Sequence, residues 1–347
     1  MTAGARGPLA NRYTDLVGIR HPVVQEGMGP FSTTHLAAAV SNAGGLGTVS
    51  VPGTTGDLHE AAAVLRRSVE ECATLTGAPF AVNIPVGHDR EGGIAAFARI
   101  YLDAVLEARR ADAGLAAQLR VLTTSAGFPA GLTERVHDEG MIHQHKVGST
   151  RHALKAARAG VDVVLAAGFE MGGHAPTSGM HTFVLTPNIA EAVDVPVVLT
   201  GGVRDGRGLA AALCLGADAV ALGTRFAATS DNPDWHPGYR AALVAAGEGD
   251  DVVVDGVFGP CRTLRNVESD AMRATVAAGG TVRSATKIES MRRAQIEGDA
   301  EHGLVLMGQV ASGITDVVSV AEFLPAMIDE AAAVLRARQP LPAAVEV

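Results

Sequence analysis

The chain alternates between short apolar runs and longer segments in which apolar residues recur at helical spacing. Eight of the apolar runs are rich in small and branched residues, which is typical of strands buried on both faces of a sheet. These runs predict strands at residues 22–25, 46–51, 80–84, 119–123, 141–147, 161–166, 195–200 and 217–222.

Nearly every predicted strand is followed by a segment with a helical pattern. In residues 57–75, apolar residues fall on one helical face, behind an Asp57 that is suited to cap the helix. The same reasoning predicts helices at residues 36–42, 93–110, 131–139, 149–160, 189–193 (capped by Asn188) and 205–215. Eight such units in succession favour a closed (β/α)8 TIM barrel over the runner-up, a doubly wound open sheet.

The strand–helix rhythm breaks at residue 232. Residues 232–312 contain a helical pattern near 239–246, a β-like run at 252–254 and a turn at 258–261. We interpret 232–312 as a small appended subdomain that lies over one end of the barrel. Residues 1–231 and 313–347 would then form the barrel, with a closing helix at 317–336.

Composition excludes several classes of function. The formal net charge of −9, without any basic run, argues against a dedicated nucleic-acid or membrane-surface binder. No apolar segment reaches the length of a membrane span. The three cysteines lie far apart, which favours a reducing, cytoplasmic compartment and argues against structural zinc. Cys214 lies in an apolar helical pattern and is expected to be a core thiol.

Glycine-containing loops follow the last two predicted strands. Gly201 and Gly202 end one strand, and Gly223 and Thr224 follow the next. The loops after the seventh and eighth strands of a barrel commonly bind phosphate, because glycines expose backbone N–H groups and a short helix adds partial positive charge. The two pairs together predict a phosphate site, to which Arg225 would add a nearby cation.

His174 is the strongest candidate for chemistry. It follows the sixth predicted strand and the pair Gly172–Gly173, so it would be presented at the carboxyl end of the barrel. The alternative is a turn with an incidental histidine. Asn83, at the end of the third predicted strand, offers an amide to the same end of the barrel, or is simply a turn residue.

Other polar residues near the strand ends carry weaker evidence. His143 and His145 alternate on one strand, but no third ligand follows at metal spacing, so we expect no metal site. Lys146 either meets an anion at the barrel mouth or is a solvated surface lysine. His181 is a secondary catalytic candidate, or only caps its loop.

Six sequence pieces occur together in this order. They are QEGMG (25–29), SNAGGLG (41–47), FAVN (80–83), EMGGH (170–174), GGVRDG (201–206) and LGTRF (222–226). Over about residues 15–315 the set resembles the nitronate monooxygenase (2-nitropropane dioxygenase) family of FMN-dependent TIM barrels. Two later pieces, GPCRTLRN (259–266) and MGQVA (307–311), are also similar to its FMN-dependent enoyl-acyl-carrier-protein reductase branch.

The resemblance implies specific roles. His174 would be the catalytic residue over the flavin. The FMN phosphate would lie on Gly202, Gly223 and Thr224, and the ring and ribityl chain on Met28, Asn83 and Gly172. The resemblance places further cofactor contacts at Ala167, Gly201, Ala221 and Leu222.

The sequence departs from the family pattern at three places. Ala167 stands where the family usually has Gln or Glu, Ala175–Pro176 stiffens the loop after His174, and Lys146 is a charge at a strand end that is usually uncharged. These departures concern the substrate side more than the phosphate side.

Two enzymatic hypotheses and one non-enzymatic hypothesis follow. The first is oxidation of a small alkyl nitronate with O2, with His174 as base. The second is reduction of an enoyl thioester with NAD(P)H, with His174 as proton donor and with Arg262, Arg265 and Lys146 meeting carrier or nucleotide phosphates. The third is a flavin-binding sensor barrel. Flavin-barrel neighbours often pair, so a homodimer is also expected.

Overall fold

A computed structural model describes residues 6–53, 56–89 and 91–338. Within these residues the chain forms eleven strands. They are β1 (Val23–Gln25), β2 (Gly47–Ser50), β3 (Phe80–Pro85), β4 (Leu119–Ser125), β5 (Ile142–Val147), β6 (Val163–Ala167), β7 (Gly173–His174), β8 (Val197–Thr200), β9 (Ala219–Leu222), β10 (Asp251–Asp255) and β11 (Pro260–Leu264).

Eight parallel strands form the barrel in the order β1-β9-β8-β6-β5-β4-β3-β2. A parallel bridge between Val24 and Leu46 joins the two ends of this order, and Gln25 N–H donates to the Leu46 carbonyl at 2.9 Å. The barrel strands are almost completely buried, as their apolar composition predicted. The predicted (β/α)8 barrel is therefore confirmed.

Helices surround the barrel and extend beyond it. Within the described ranges they are α1 (Arg12–Val17), α2 (Thr34–Asn42), α3 (Leu58–Leu75), α4 (Ala96–Ala111), α5 (Ala113–Gln118), α6 (Leu132–Asp138), α7 (Thr150–Arg158), α8 (Thr182–Ala190), α9 (Gly206–Cys214), α10 (Thr224–Ala227), α11 (Pro237–Ala245), α12 (Val267–Ala277), α13 (Ser284–Gln295) and α14 (Val320–Ala337). None of these helices is long and apolar enough to cross a membrane.

Side-chain caps explain where several helices begin. Asp57 accepts hydrogen bonds from two N–H groups of α3, Ser149 accepts from α7, and Asp205 accepts from α9. The closing helix α14 begins at Val320, slightly later than predicted, because Ser319 caps it. These helix starts agree closely with the sequence.

Two expectations about helices are wrong. The helix predicted at 189–193 is instead α8, which starts at Thr182 and contains Pro187 and Asn188. Burial of Leu185 and Ile189 against the barrel outweighs the tendency of proline to end a helix. Cys214 is exposed, because α9 buries Leu209, Ala210 and Ala212 on another face.

The region after α10 packs tightly on the barrel. Trp235 donates its indole N–H to the Ser32 carbonyl at 3.0 Å, and Trp235 and Tyr239 lie in a buried apolar cluster with residues of α10. The sequence did not predict α12 and α13. The boundaries 232–312 of an appended subdomain stay a prediction.

One short strand ties this region to the barrel loop that carries His174. β7 pairs antiparallel with β11, and β11 pairs with β10, so residues 173–174 join a second, three-stranded sheet. His174 lies opposite Cys261 in this register, and Gly173 lies opposite Arg262. The loop after β6 is therefore held at one end by the barrel and at the other end by the pairing of β7 with β11.

Candidate active site

A large pocket opens at the carboxyl ends of the barrel strands. Its volume is about 880 Å³, which is in the upper part of the range for sites that enclose sizeable ligands. The loops after all eight barrel strands line it, together with residues of the region after α10. All eleven site residues assigned from the sequence lie in its lining, namely Met28, Asn83, Ala167, Gly172, His174, Gly201, Gly202, Ala221, Leu222, Gly223 and Thr224.

His174 sits on β7 with its imidazole half-buried in the pocket wall. The ring of Phe258 packs edge-on against it, with centroids 5.3 Å apart. Nε2 is enclosed and has no hydrogen-bond partner among the described residues. A Cβ at Gly256 would lie 2.8 Å from Nε2, so this close approach requires glycine.

The surroundings of His174 keep it neutral. Burial, followed by the positive charges of Lys146 and Lys287, lowers the pKa of His174 to about 4. At neutral pH the ring therefore carries one free nitrogen lone pair. A neutral imidazole of this kind accepts a proton and is rarely present as an imidazolium donor.

An ion pair crosses the barrel mouth beside the histidine. Lys146 Nζ, at the end of β5, donates to Glu26 Oε2, after β1, at 2.6 Å. The other carboxylate oxygen of Glu26 is buried and has no partner among the described residues. Lys146 thus lines the pocket, and its interpretation as a solvated surface lysine is wrong.

The two predicted glycine loops form the opposite wall. Gly201 and Gly202 have φ values of 107° and 75°, which side chains rarely adopt. Gly223 precedes α10 without any side-chain cap, so the first N–H groups of this turn lack an intrahelical partner. Thr224 Oγ1 accepts from the Gly308 N–H at 2.9 Å, which leaves its own hydroxyl proton for a ligand.

The remaining assigned residues have clear local roles. The Met28 N–H is already engaged, because it donates to Ser50 Oγ at 2.7 Å. Asn83 Nδ2 donates to the Thr123 carbonyl at 3.2 Å. A Cβ on Gly172 would lie 2.5 Å from the backbone N of Gly308, so this glycine is required for packing between two loops.

Three predicted cations do not reach the pocket. Arg225 is buried on another side, where it pairs with Asp316 at 2.7 Å and lies over the Phe323 ring. Arg262 is also buried and binds Asp251 and the Phe169 carbonyl. Arg265 is exposed and outside the pocket lining. The expectation that these arginines meet phosphates is wrong. Arg225 and Arg262 are held by partners outside the pocket, and Arg265 lies outside the pocket lining.

Two other histidines singled out from the sequence, His143 and His181, have structural partners. His181 Nδ1 lies 3.1 Å from Glu170 Oε2 outside the pocket lining, and its side chain does not cap α8. His143 is fully buried and bonds to the hydroxyls of Thr124 and Thr133. Within the described ranges no cluster of side chains is arranged to hold a metal ion.

One residue next to the pocket lining escaped sequence reasoning. Lys287 is buried and donates to Asp255 Oδ2 and to the Gly256 carbonyl, both at 2.8 Å. It thereby fixes the turn that carries Phe258 against His174. No local pattern in the sequence links these distant positions, and only the pairing of β7 with β11 brings them together.

Comparison with known proteins decides the family. The sequence model for nitronate monooxygenase matches residues 10–330. The chain belongs to the nitronate monooxygenase family. Members of this family are oxidoreductase enzymes, so the sensor hypothesis is dropped.

Within and around this family, the chain is similar to proteins with several activities. A protein of Rhodococcus jostii (strain RHA1), named (3aS,4S,5R,7aS)-5-hydroxy-7a-methyl-1-oxo-octahydro-1H-indene-4-carboxyl-CoA dehydrogenase, is 35% identical over 82% of this chain and 74% of its own. A Mycobacterium tuberculosis protein of the same name is 30% identical over 93% and 96%. FabK from Thermotoga maritima superposes with a TM-score of 0.82 at 32% identity, over 94% of this chain and 98% of its own. This similarity agrees with the resemblance to the enoyl-acyl-carrier-protein reductase branch that the sequence indicated.

Proposed function

We propose that the protein is an FMN-dependent oxidoreductase that oxidises a small alkyl nitro compound with O2, taken up as its nitronate or deprotonated in the site by His174. The observation that carries this proposal is the neutral His174 imidazole in the pocket wall. Its lowered pKa keeps the ring in the proton-accepting form at neutral pH, where it can take a proton from an acidic carbon. The Lys146 ammonium beside it would hold the resulting anion.

The lining of the pocket supports FMN as the cofactor. The positive-φ pair Gly201–Gly202, the uncapped first turn of α10 and the free hydroxyl proton of Thr224 form one wall suited to a phosphate. Asn83, Ala167 and Gly172 would lie along the remainder of the cofactor. When bound, FMN accepts electrons from the substrate, and the protein supplies orientation and electrostatics.

The presence of FMN is tested by the colour of the purified protein and by the fluorescence of the flavin that it releases. We expect the purified protein to be yellow and to release a flavin with FMN fluorescence on denaturation. Colourless protein that also fails to take up added FMN would contradict the proposal. The reaction is tested by anaerobic mixing with propyl-2-nitronate, which should bleach the flavin absorbance, and readmission of O2 should restore it.

A second function has a specific observation in its favour. Two relatives are named for a CoA thioester. Dehydrogenation or reduction of a thioester is therefore the alternative, with NAD(P)H as donor for reduction. Rapid bleaching by NAD(P)H, reversed by crotonyl-CoA, would favour reduction. The expected homodimer and cytoplasmic location stay predictions.

A further inference from the structure

One side of the pocket is basic and lies beyond the ends of β4 and β5. We call it the basic side and define it by five lining residues, namely Phe128, His145, Arg151, His152 and Lys155. It is separate from the glycine loops after β8 and β9. None of its residues has a role in the chemistry assigned to His174.

Among the described residues, the cations of the basic side have no acidic partner. Arg151 and Lys155 are exposed on the first turns of α7, and neither pairs with a carboxylate in the part of the chain that the structure describes. Lys155 Nζ instead lies 3.7 Å from the centre of the Phe128 ring. In a chain of net charge −9, unpaired cations around an aromatic ring at a pocket indicate an anionic ligand.

His145 gives an independent indication of a ligand. Its side chain is only 4% exposed, and Nδ1 bonds to Thr124 Oγ1 at 2.8 Å. Thr124 also bonds to His143 Nε2 at 2.8 Å, and His143 Nδ1 bonds to the Thr133 hydroxyl. Nε2 of His145 has no hydrogen-bond partner among the described residues, although the side chain lines the pocket.

This chain of bonds allows His145 to be a donor. If Thr133 donates to His143 and His143 donates to Thr124, the Thr124 hydroxyl donates to Nδ1 of His145. The proton of the neutral His145 ring then lies on Nε2. An anion in the pocket would select this arrangement of tautomers, because it accepts that hydrogen bond.

The loop after His174 forms the wall between the two parts of the pocket. A Cβ on Gly148 would lie 2.2 Å from Pro176 Cβ, so the loop packs directly on the backbone after β5. Ser178 Oγ donates to the Gly148 carbonyl at 2.7 Å. A ligand held on the basic side would therefore pass along Pro176 to reach His174.

We propose that the basic side binds the phosphorylated adenine nucleotide of an extended ligand, with its phosphates on Arg151, His152, Lys155 and His145 and its base near Phe128. Charged hydrogen bonds to several donors are the usual means of holding phosphates, and an aromatic ring stacks on a nucleobase. Two ligands share this chemistry, namely a CoA thioester as substrate and NADPH as electron donor. The inference rests on the second function, dehydrogenation or reduction of a thioester, only in placing the reactive end of that ligand at His174.

The test is calorimetric titration of the FMN-saturated protein with CoA, 3′-dephospho-CoA, NADPH and NADH. The variant Arg151→Gln/Lys155→Gln should weaken binding of the phosphorylated nucleotide at least about tenfold. Arg158→Gln removes a cation of the same helix that lies outside the pocket lining, and it should leave binding unchanged. His145→Asn keeps a polar group toward Thr124 but loses Nε2, and it should weaken binding about threefold or more.

The outcomes separate the two ligands. Weakened CoA binding in the double variant identifies the substrate carrier, and weakened NADPH binding identifies the electron donor. Either result supports the proposal that the basic side binds a phosphorylated nucleotide. If neither CoA nor NADPH binds, or if the double variant and Arg158→Gln lose equal affinity, the proposal is overturned. Binding requires no turnover, so a protein that takes up no FMN would overturn the proposed function while the same titration, without FMN, still tests the basic side.

Discussion

The two walls of the pocket are built from different parts of the polypeptide. The wall after β8 and β9 is mostly backbone, with Gly201, Gly202 and Gly223 beside one hydroxyl. The opposite wall consists of side chains, among them His174, Lys146 and Phe258. Backbone N–H groups suit a phosphate that is common to many enzymes, whereas side chains adapt to one substrate. The comparison indicates that cofactor binding and substrate chemistry can be changed separately.

The largest effect should come from His174→Ala. We expect the rate of flavin reduction by substrate to fall by at least about 10²-fold, because the proposed base is lost. FMN affinity should be retained, since the proposed phosphate site is on the other wall. Stopped-flow absorbance and FMN titration measure the two properties. Unchanged turnover would show that His174 is not the base. Loss of FMN binding would show that the two walls do not act separately.

Gly202→Ala should affect the opposite property. A Cβ there would lie 3.3 Å from Glu170 on a backbone with φ of 75°, so the loop must shift and FMN should bind about tenfold more weakly. Gly279→Ala is the matched control, because Gly279 has a similar φ of 80° with no atom near its Cβ position. Both variants should lose about 1 to 2 kcal/mol of stability from the backbone strain alone. Equal FMN affinities in the two variants would contradict the phosphate assignment.

The pH dependence of activity tests the assignment of His174 as the base. A base must be deprotonated, so activity should persist through neutral pH and be lost only as pH falls through about 4, the lowered pKa of His174. Lys146→Met removes a nearby positive charge and leaves Glu26 unpaired, so the pKa of His174 should rise and the acid limb should move to higher pH.

Lys146→Arg keeps the charge and should keep the acid limb in place. Profiles of kcat/KM against pH measure both variants. An acid limb that stays fixed in Lys146→Met would show that another group controls the profile.

The smallest effect should come from Thr224→Val. Loss of one hydroxyl donor should weaken FMN binding about fivefold, corresponding to roughly 1 kcal/mol. The variant also deprives the Gly308 N–H of its acceptor, so thermal unfolding should occur at a lower temperature. Thr224→Ser retains both bonds and should restore both properties. Wild-type FMN affinity in Thr224→Val would exclude its hydroxyl from the phosphate site.

The sequence alone was sufficient to predict those elements whose formation depends on residues close together in the chain. Short continuous apolar runs determined the eight barrel strands, and caps such as Asp57 and Ser149 determined helix starts. Where tertiary contacts compete with local preference, the sequence misled. Pro187 lies inside α8, and Cys214 faces outward, because packing against the barrel selects the helix and its buried face.

The barrel and the glycine loops at its mouth were determined by the sequence itself, since hydrophobic period and backbone freedom act within a few residues. Only the tertiary structure decided how His174 is held. β7 pairs with β11, and Lys287 fixes the turn of Phe258, although these residues lie far apart in the chain. It also decided that Arg225 and Arg262 turn away, while Arg151 and Lys155 line the pocket. The charge of a side chain is readable from sequence, but its direction depends on partners that folding brings from elsewhere.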